Sequence, residues 1–312
     1  MFTFDSGTID STGVFLVGEL ERLDPRLHMP LVSVTWHRDI DLREDVTLAD
    51  ESSAFTNTTL AAMGSLSPGG KNWAGGKTQE LAGVSLNTEK TTQPMRLWAM
   101  QAAWSLRELA AAQQLGRPID SQKIDALNLK HNMDTDEQVY IGDTDLEVTG
   151  LVNNANIVPL GIDTEWSDAT TAKQMLADIN DFLAHGYEQT GHTVCPDKLL
   201  LPPAKIALLT QPVTDAGSDS ILEYVAKKSL CNTINGRPLD IKPLKWLPGR
   251  GTAGKDRAVA YTQNPLYVRF PMVPLQRTPI EYRGIHQLTT FFGTLGEVEF
   301  VYPETVAYAD GL

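Results

Sequence analysis

"IDSQKIDALNLKHNMDTDEQVYIGDTDLEVTGLVNN" runs from Ile119 to Asn154. Ile124, Leu127 and His131 recur at steps of three and four residues, which puts them on one face of a helix. Asp120 or Ser121 can cap its start, and acidic residues gather toward its end. Gly142-Asp143 and Gly150-Leu151 then break the pattern. The reading is one long helix running into an irregular glycine-punctuated segment.

Upstream, "MRLWAMQAAWSLRELAAAQQLG" (Met95–Gly116) is rich in Ala and Leu and reads as a second helix, stopped by Gly116-Arg117-Pro118. Residues 49–95 are different: small, polar, with two Gly-Gly pairs and few large apolar side chains. Loops beyond about 12–15 residues are uncommon inside a compact domain. A long hairpin, or an arm ordered by a neighbouring subunit, explains the composition; a mobile insertion is the plainer alternative. "PLVSVTWHRDIDLRED" (Pro30–Asp45) alternates Val32, Val34 and Trp36, then Ile40 and Leu42, and reads as strand. Residues 1–30 read as an extended arm, with at most a short helix over Val14–Leu23.

Downstream, "SDATTAKQMLADINDFLAHGYEQTG" (Ser167–Gly191) carries an apolar stripe of Met175, Leu176, Ile179, Phe182 and Leu183, with Ser167 placed to cap it. "DKLLLPPAKIALLTQP" reads as strand, Pro-Pro, short helix, and "ILEYVAKKSL" as helix. Short strands follow in "PLDIKPLKWL", "RAVAYT", "LYVRF", "IEYRGI", "LTTFFGT" and "VEFVYPETVAYAD". The class is α+β.

The chain has 312 residues, 42% apolar and 21% charged, as a folded domain requires. Its formal charge of −13 opposes tight contact with phosphate backbones, though it is compatible with enclosing nucleic acid. The only cysteines, Cys195 and Cys231, suggest no disulfide framework and fit a reducing compartment. The first residues do not resemble a signal peptide, and no apolar run is long enough to span a membrane.

"WLPGRGTAGKDRAVAY" (Trp246–Tyr261) holds Gly249, Arg250, Gly251, Gly254 and Lys255, close to two nucleotide-binding fingerprints. A P-loop needs Ser or Thr after its lysine, and Asp256 stands there. Both fingerprints need a helix next, whose free N–H groups hold phosphate. "DRAVAYTQNP" alternates as strand, so the loop reads as a glycine-rich hairpin connection. Asp143, Asp145 and Glu147 alternate as in a calcium loop, but Val148 and Asn154 stand where an EF-hand needs Gly and Glu. His185, His192 and Cys195 lack the second ligand pair zinc requires and read as helix-end histidines and an inert thiol. No hydrolase or metalloprotease motif is present. The residues point to no catalytic site, metal or cofactor.

The order of elements is the informative part: a Gly-rich arm, a long helix into "YIGDTDLEVTGLVNN", an amphipathic helix, "DKLLLPPAKIALL", "GRPLDIKPLKWL", and the ending "VEFVYPETVAYADGL". This order resembles the major capsid proteins of tailed bacteriophages with the Hong Kong 97 fold. Gly142-Asp143 with Gly150-Leu151-Val152-Asn153 resembles the segment joining that fold's spine helix to its axial domain. "GRPLDIKPL" and "YPETVAYADG" resemble two of its strands. The resemblance implies an N-terminal arm and lead-in strand over 1–44 and an extended loop over 45–95. It implies a peripheral domain over 96–150 and 270–312, and an axial domain over 151–269. The loop tip, Pro68, Gly69, Gly70, Lys71, Asn72, Trp73, Gly75, Gly76 and Lys77, would contact a neighbouring subunit, and Gly249–Lys255 would be an axial-domain turn. Some relatives crosslink a lysine of this loop; here Lys71 and Lys77 lie near the tip, and solvated or salt-bridged side chains are the plainer reading.

What the resemblance implies for function is a shell subunit that forms hexamers and pentamers around double-stranded DNA, assembled in a host bacterial cytoplasm. A separate scaffolding protein, or none, and a portal are its expected partners, with or without a decoration protein, and with no membrane and no cofactor. An encapsulin-like compartment shell is the alternative, and a nucleotide-using enzyme built on Gly249–Lys255 the second alternative.

Overall fold

The computed structural model describes residues 30–63, 83–115, 119–214 and 219–312. The expected helix over Val14–Leu23 and the loop tip from Pro68 to Lys77 lie outside them. In chain order the elements begin with a helical turn α1 (Trp36–Asp39) and the strands β1 (Asp41–Arg43), β2 (Ser52–Met63), β3 (Gly83–Pro94) and β4 (Arg96–Ser105). Helices α2 (Leu106–Leu115) and α3 (Ile119–Tyr140) follow, then the short strands β5 (Gly142–Asp143), β6 (Val148–Thr149) and β7 (Leu160–Gly161). Next come α4 (Ala172–Gln189), β8 (Lys198–Leu201), α5 (Pro203–Leu209), α6 (Ile221–Lys228), α7 (Leu230–Asn235) and β9 (Asp240–Pro243). The chain ends with β10 (Arg257–Tyr261), β11 (Val268–Arg277), β12 (Glu281–Arg283), β13 (His286–Leu295), β14 (Glu299–Phe300) and β15 (Val306–Asp310).

Among the described residues the larger sheet runs β1-β11-β13-β12, with β14 on β11 and β4 on β13; the second runs β7-β15-β10-β8-β9. Helix α3 lies along β4 as the sequence pattern requires: Leu127 and His131 are buried and Ile124 half-buried. The described helix runs Ile119–Tyr140. In α4, Met175, Ile179, Phe182 and Leu183 are buried against β8, β10 and β15, with Leu176 at the edge of the same cluster. Its cap is Thr171, whose hydroxyl accepts from Gln174 N, and not Ser167.

Two expectations need correction. Residues 96–105 are strand, not helix: all ten pair with β13, from Arg96↔Leu295 to Ser105↔His286. Ala102 and Trp104 are buried against α3 while Leu97, Ala99 and Ala103 on the other face are exposed. That is a period of two, hidden in sequence by the alanines, and pairing outweighs helix propensity. Residues 30–45 are not one strand. Asp136 on α3 takes the N–H groups of both Thr35 and Trp36, at 2.7 and 3.0 Å, which turns the chain into α1 and leaves three residues for β1.

The closing strand joins the second sheet. β15 pairs along its length with β10, from Arg257↔Asp310 to Tyr261↔Val306, inside the second sheet. All five of its residues are buried. The main core lies where the two sheets meet the end of α3, around Tyr140, Leu151, Tyr261, Phe270 and Tyr308. Gly150 belongs to this junction, since a Cβ there would stand 2.3 Å from the Tyr140 carbonyl carbon.

Candidate subunit interface

Strands β2 and β3 form a sheet of their own, twelve pairs from Ser52↔Pro94 to Met63↔Gly83. At ~3.3 Å per residue such a hairpin reaches about 40 Å. Residues 85–92 are exposed on both faces, Leu86 included. Its attachment to the body is concentrated at the root. Ser53 hydrogen-bonds Glu299, Asn57 Nδ2 donates to the Val301 carbonyl at 2.9 Å, and Gln93 Nε2 donates to the Val298 carbonyl at 3.3 Å.

Glu299 organises that root. Its carboxylate is fully buried and accepts from Arg43 Nη1 at 2.9 Å and Arg269 Nε at 2.6 Å. Arg43 also reaches the Ala54 carbonyl at 3.0 Å and Asp45 at 2.7 Å. The Arg43 guanidinium holds the Asp45 carboxyl below its usual range. One buried acid thus ties β1, β2, β11 and β14 together where the hairpin leaves the body.

Two more buried acids fix the segment that leads into the hairpin. Asp136 accepts Thr35 N and Trp36 N, and also Trp246 Nε1 at 2.8 Å and Lys245 Nζ at 3.0 Å. Asp39 accepts from Arg38 Nε at 2.7 Å, Tyr140 OH at 2.5 Å and Lys198 Nζ at 3.0 Å. Burial pushes the Asp39 carboxyl up, but Arg38, Tyr140 and Lys198 outweigh it and hold it below the ordinary value. Burial beside Asp39 pushes the Tyr140 and Tyr261 phenols well above theirs.

The glycine loop resolves against phosphate binding. It holds Gly249 (φ 68°), Ala253 (φ 60°) and Gly254 (φ 76°) in left-handed backbone, and the strand β10 follows it. Its N–H groups are spoken for by the protein: Gly249 N donates to Asp256 Oδ1 at 3.0 Å, Gly251 N to the Lys255 carbonyl at 2.7 Å, and Thr252 N to Asp310 Oδ2 at 2.8 Å. A Cβ on Gly251 would stand 2.9 Å from the Lys255 carbonyl oxygen and 3.0 Å from Asp310. Arg250 and Lys255 point to solvent. The loop is not the expected hairpin connection either, because β8 lies between β9 and β10. It is a crossover clipped to the end of the closing strand, where Arg257 also grips Asp310 through Nε at 2.7 Å and Nη2 at 2.8 Å.

Among the described residues no three His, Cys, Asp or Glu side chains converge as metal ligands would. Asp143 turns onto Asp145 N at 2.9 Å, and His192 stacks on Tyr187 at 5.0 Å. Cys195 is not a free thiol: it is disulfide-bonded to Cys231, with Cα atoms 5.5 Å apart. A single pair 36 residues apart carries no spacing signature, so only the fold brings it together. The carboxylates Asp39, Asp136 and Glu299 were equally invisible as sites. The one signal available was an acid in an otherwise apolar helical or strand face, as Asp136 is beside Val139 and Tyr140.

Among curated proteins none matches the chain. The chain is similar to the capsid of the Myoviridae phage XM1, at 17% identity and a TM-score of 0.78, over 96% of this chain and 100% of the other. It is also similar to the capsid of the native GTA particle, at 12% identity and a TM-score of 0.63, over 99% of both chains. The capsid of cyanophage P-SCSP1u matches at 12% identity and a TM-score of 0.57, over 98% of this chain and 95% of that one. These likenesses establish the Hong Kong 97-like fold. The family model described as "Major capsid protein" matches residues 69–312, which takes in the far strand of the hairpin, the long helix and both sheets apart from β1, and the chain belongs to that family.

Proposed function

We propose that copies of this chain close into the hexamers and pentamers of an icosahedral phage head that encloses double-stranded DNA. The hairpin carries the reading. A two-stranded hairpin alone in water is marginally stable, and residues 85–92 of this one have both faces exposed. A neighbouring copy is the surface that would cover it, with the tip (Pro68, Gly69, Gly70, Lys71, Asn72, Trp73, Gly75, Gly76 and Lys77) making the farthest contact. In this reading 45–95 is the extended loop. Residues 96–150 with most of 270–305 form the peripheral domain, and 151–269 with the closing strand form the axial domain, including the Gly249–Lys255 turn.

Net charge of −13 supports a shell that holds DNA without gripping it. Assembly would take place in the host bacterial cytoplasm, with a portal and a scaffolding protein as partners. The test is expression of the chain alone and with a scaffold, followed by size-exclusion chromatography and negative-stain electron microscopy. Closed shells or capsomer rings are expected. A 34.2 kDa monomer that never assembles under either condition would overturn the reading.

A further inference from the structure

We propose that the chain folds and assembles with Cys195 and Cys231 as thiols, and that their disulfide closes afterwards as a redox staple holding α7 on the second sheet. The proposal rests on assembly in a reducing cytoplasm. Its structural basis is that α7 is already pinned without the covalent bond. Asn235 Nδ2 donates to the Cys195 and Pro196 carbonyls at 3.1 and 3.3 Å. Just beyond α7, Arg237 pairs with Asp197 and Leu239 N donates to the Ala226 carbonyl at 3.0 Å, while Thr262 Oγ1 holds the facing Cys195 segment through its carbonyl at 3.2 Å. Both cysteines are 1% exposed inside the cluster of Phe182, Leu199 and Val225, where reduced thiols pack as small apolar groups.

The Cα separation of 5.5 Å lies within the ordinary disulfide span, so closing the bond requires no backbone rearrangement. The oxidant is a small-molecule disulfide such as oxidised glutathione. One cysteine thiolate attacks it to give a mixed disulfide, and the second displaces the bound half. Two protein thiols thereby give up two protons and two electrons, and the oxidant leaves as two thiols. Because both sulfurs are buried, attack waits on lifting of α7, whose outer face shows Leu230 and Ile234 to solvent. The bond then closes a loop spanning a 36-residue separation, which restricts the unfolded chain.

Freshly lysed cells should be denatured in iodoacetamide and the chain weighed. Both cysteines should be alkylated. After the purified native chain is incubated with oxidised glutathione, neither should be, and the mass should fall by two hydrogens. Melting should rise by about 5–10 °C on oxidation, and Cys195→Ala and Cys231→Ala should each melt independently of redox state while assembling normally. A disulfide already present in the freshly trapped chain overturns the proposal, as do thiols that stay open to alkylation after oxidation or melting that does not move. The melting arm reads out on assembled and unassembled chain alike, so failure to form shells counts against the capsid reading and leaves the staple testable.

Discussion

Asp310 gives the sharpest test of how the closing strand is held. It is 5% exposed and its carboxylate takes four donors: Arg257 Nε at 2.7 Å, Arg257 Nη2 at 2.8 Å, and Thr252 N and Oγ1 at 2.8 Å each. In Asp310→Ala the Arg257 guanidinium, 11% exposed, loses its counter-charge and keeps only the Val152 carbonyl at 2.8 Å and the Tyr308 ring face. Leaving one partner of a buried pair unpaired costs about 3–5 kcal/mol. Thr252 is exposed, so water replaces its lost bonds at little cost. The whole loss therefore traces to the ion pair, and melting of the unassembled chain should fall by about 5–15 °C.

Two controls follow from the same geometry. Arg257→Met with Asp310→Leu removes both charges and should recover most of the loss, since a well-packed apolar pair often equals a buried ion pair. The pH dependence has a fixed sign. Burial pushes the Asp310 carboxyl up, but Arg257 and Thr252 hold it below the ordinary value. The stability it supplies is fully present above the unfolded value of about 3.9 and is lost as pH falls through the lower folded value. Urea denaturation followed by circular dichroism at pH 7 and pH 3 reads both. A loss under about 1 kcal/mol in Asp310→Ala, or a double variant as damaged as the single one, would refute the reasoning.

Glu299→Ala should cost about 3 kcal/mol by stranding Arg269 and taking from Arg43 its buried partner while Asp45 remains, and should also free the hairpin root, read as faster limited proteolysis within β2 and β3 than in the body. His131 is 6% exposed and stacks edge-on against Trp98 at 4.8 Å; burial holds its imidazole below the ordinary value, with Asp134 pulling the other way. Its neutral form therefore supports the fold above the unfolded value of about 6.5 and the support is lost as pH falls below it, so melting between pH 7 and 5 should fall more steeply in the natural chain than in His131→Leu. Gly150→Ala drives a Cβ into the Tyr140 backbone and should cost about 3 kcal/mol or more, whereas Gly161→Ala, with nothing within 4 Å, should melt like the natural chain.

Where the sequence was readable, the period of apolar residues and the burial agree: α3 and α4 bury the stripes their spacing defines. Residues 96–105 were misread because Ala and Leu favour helix locally, while the ten-pair register with β13 is a long-range term that no window contains. The same holds for the root and lead-in. Thr35 meets Asp136 across 101 residues and Arg43 meets Glu299 across 256, so each acid looks like an ordinary surface charge until the fold supplies its partners. The glycine loop was readable for the opposite reason. The question of whether its N–H groups were free turned on the next few residues, and the strand after Lys255 answered it.

The small, polar composition of residues 49–95 has a physical explanation on the capsid reading. An active site concentrates function in a few converging side chains, which leave a spacing signature. A shell subunit spreads function over surfaces, and a surface that waits for another copy looks, within one chain, like a segment unable to bury itself. Residues 85–92 meet that description, extended, paired with β2 and exposed on both faces. On the proposed capsid reading such a hairpin would gain its stability on association, and its rigidity would come from the root. The buried Glu299 cluster sits there, and Asp39 and Asp136 hold the strand that feeds it. These three acids are costly to bury; on the proposed capsid reading, their common position along the path into the hairpin would fix the direction in which the arm leaves the body before a neighbour receives it.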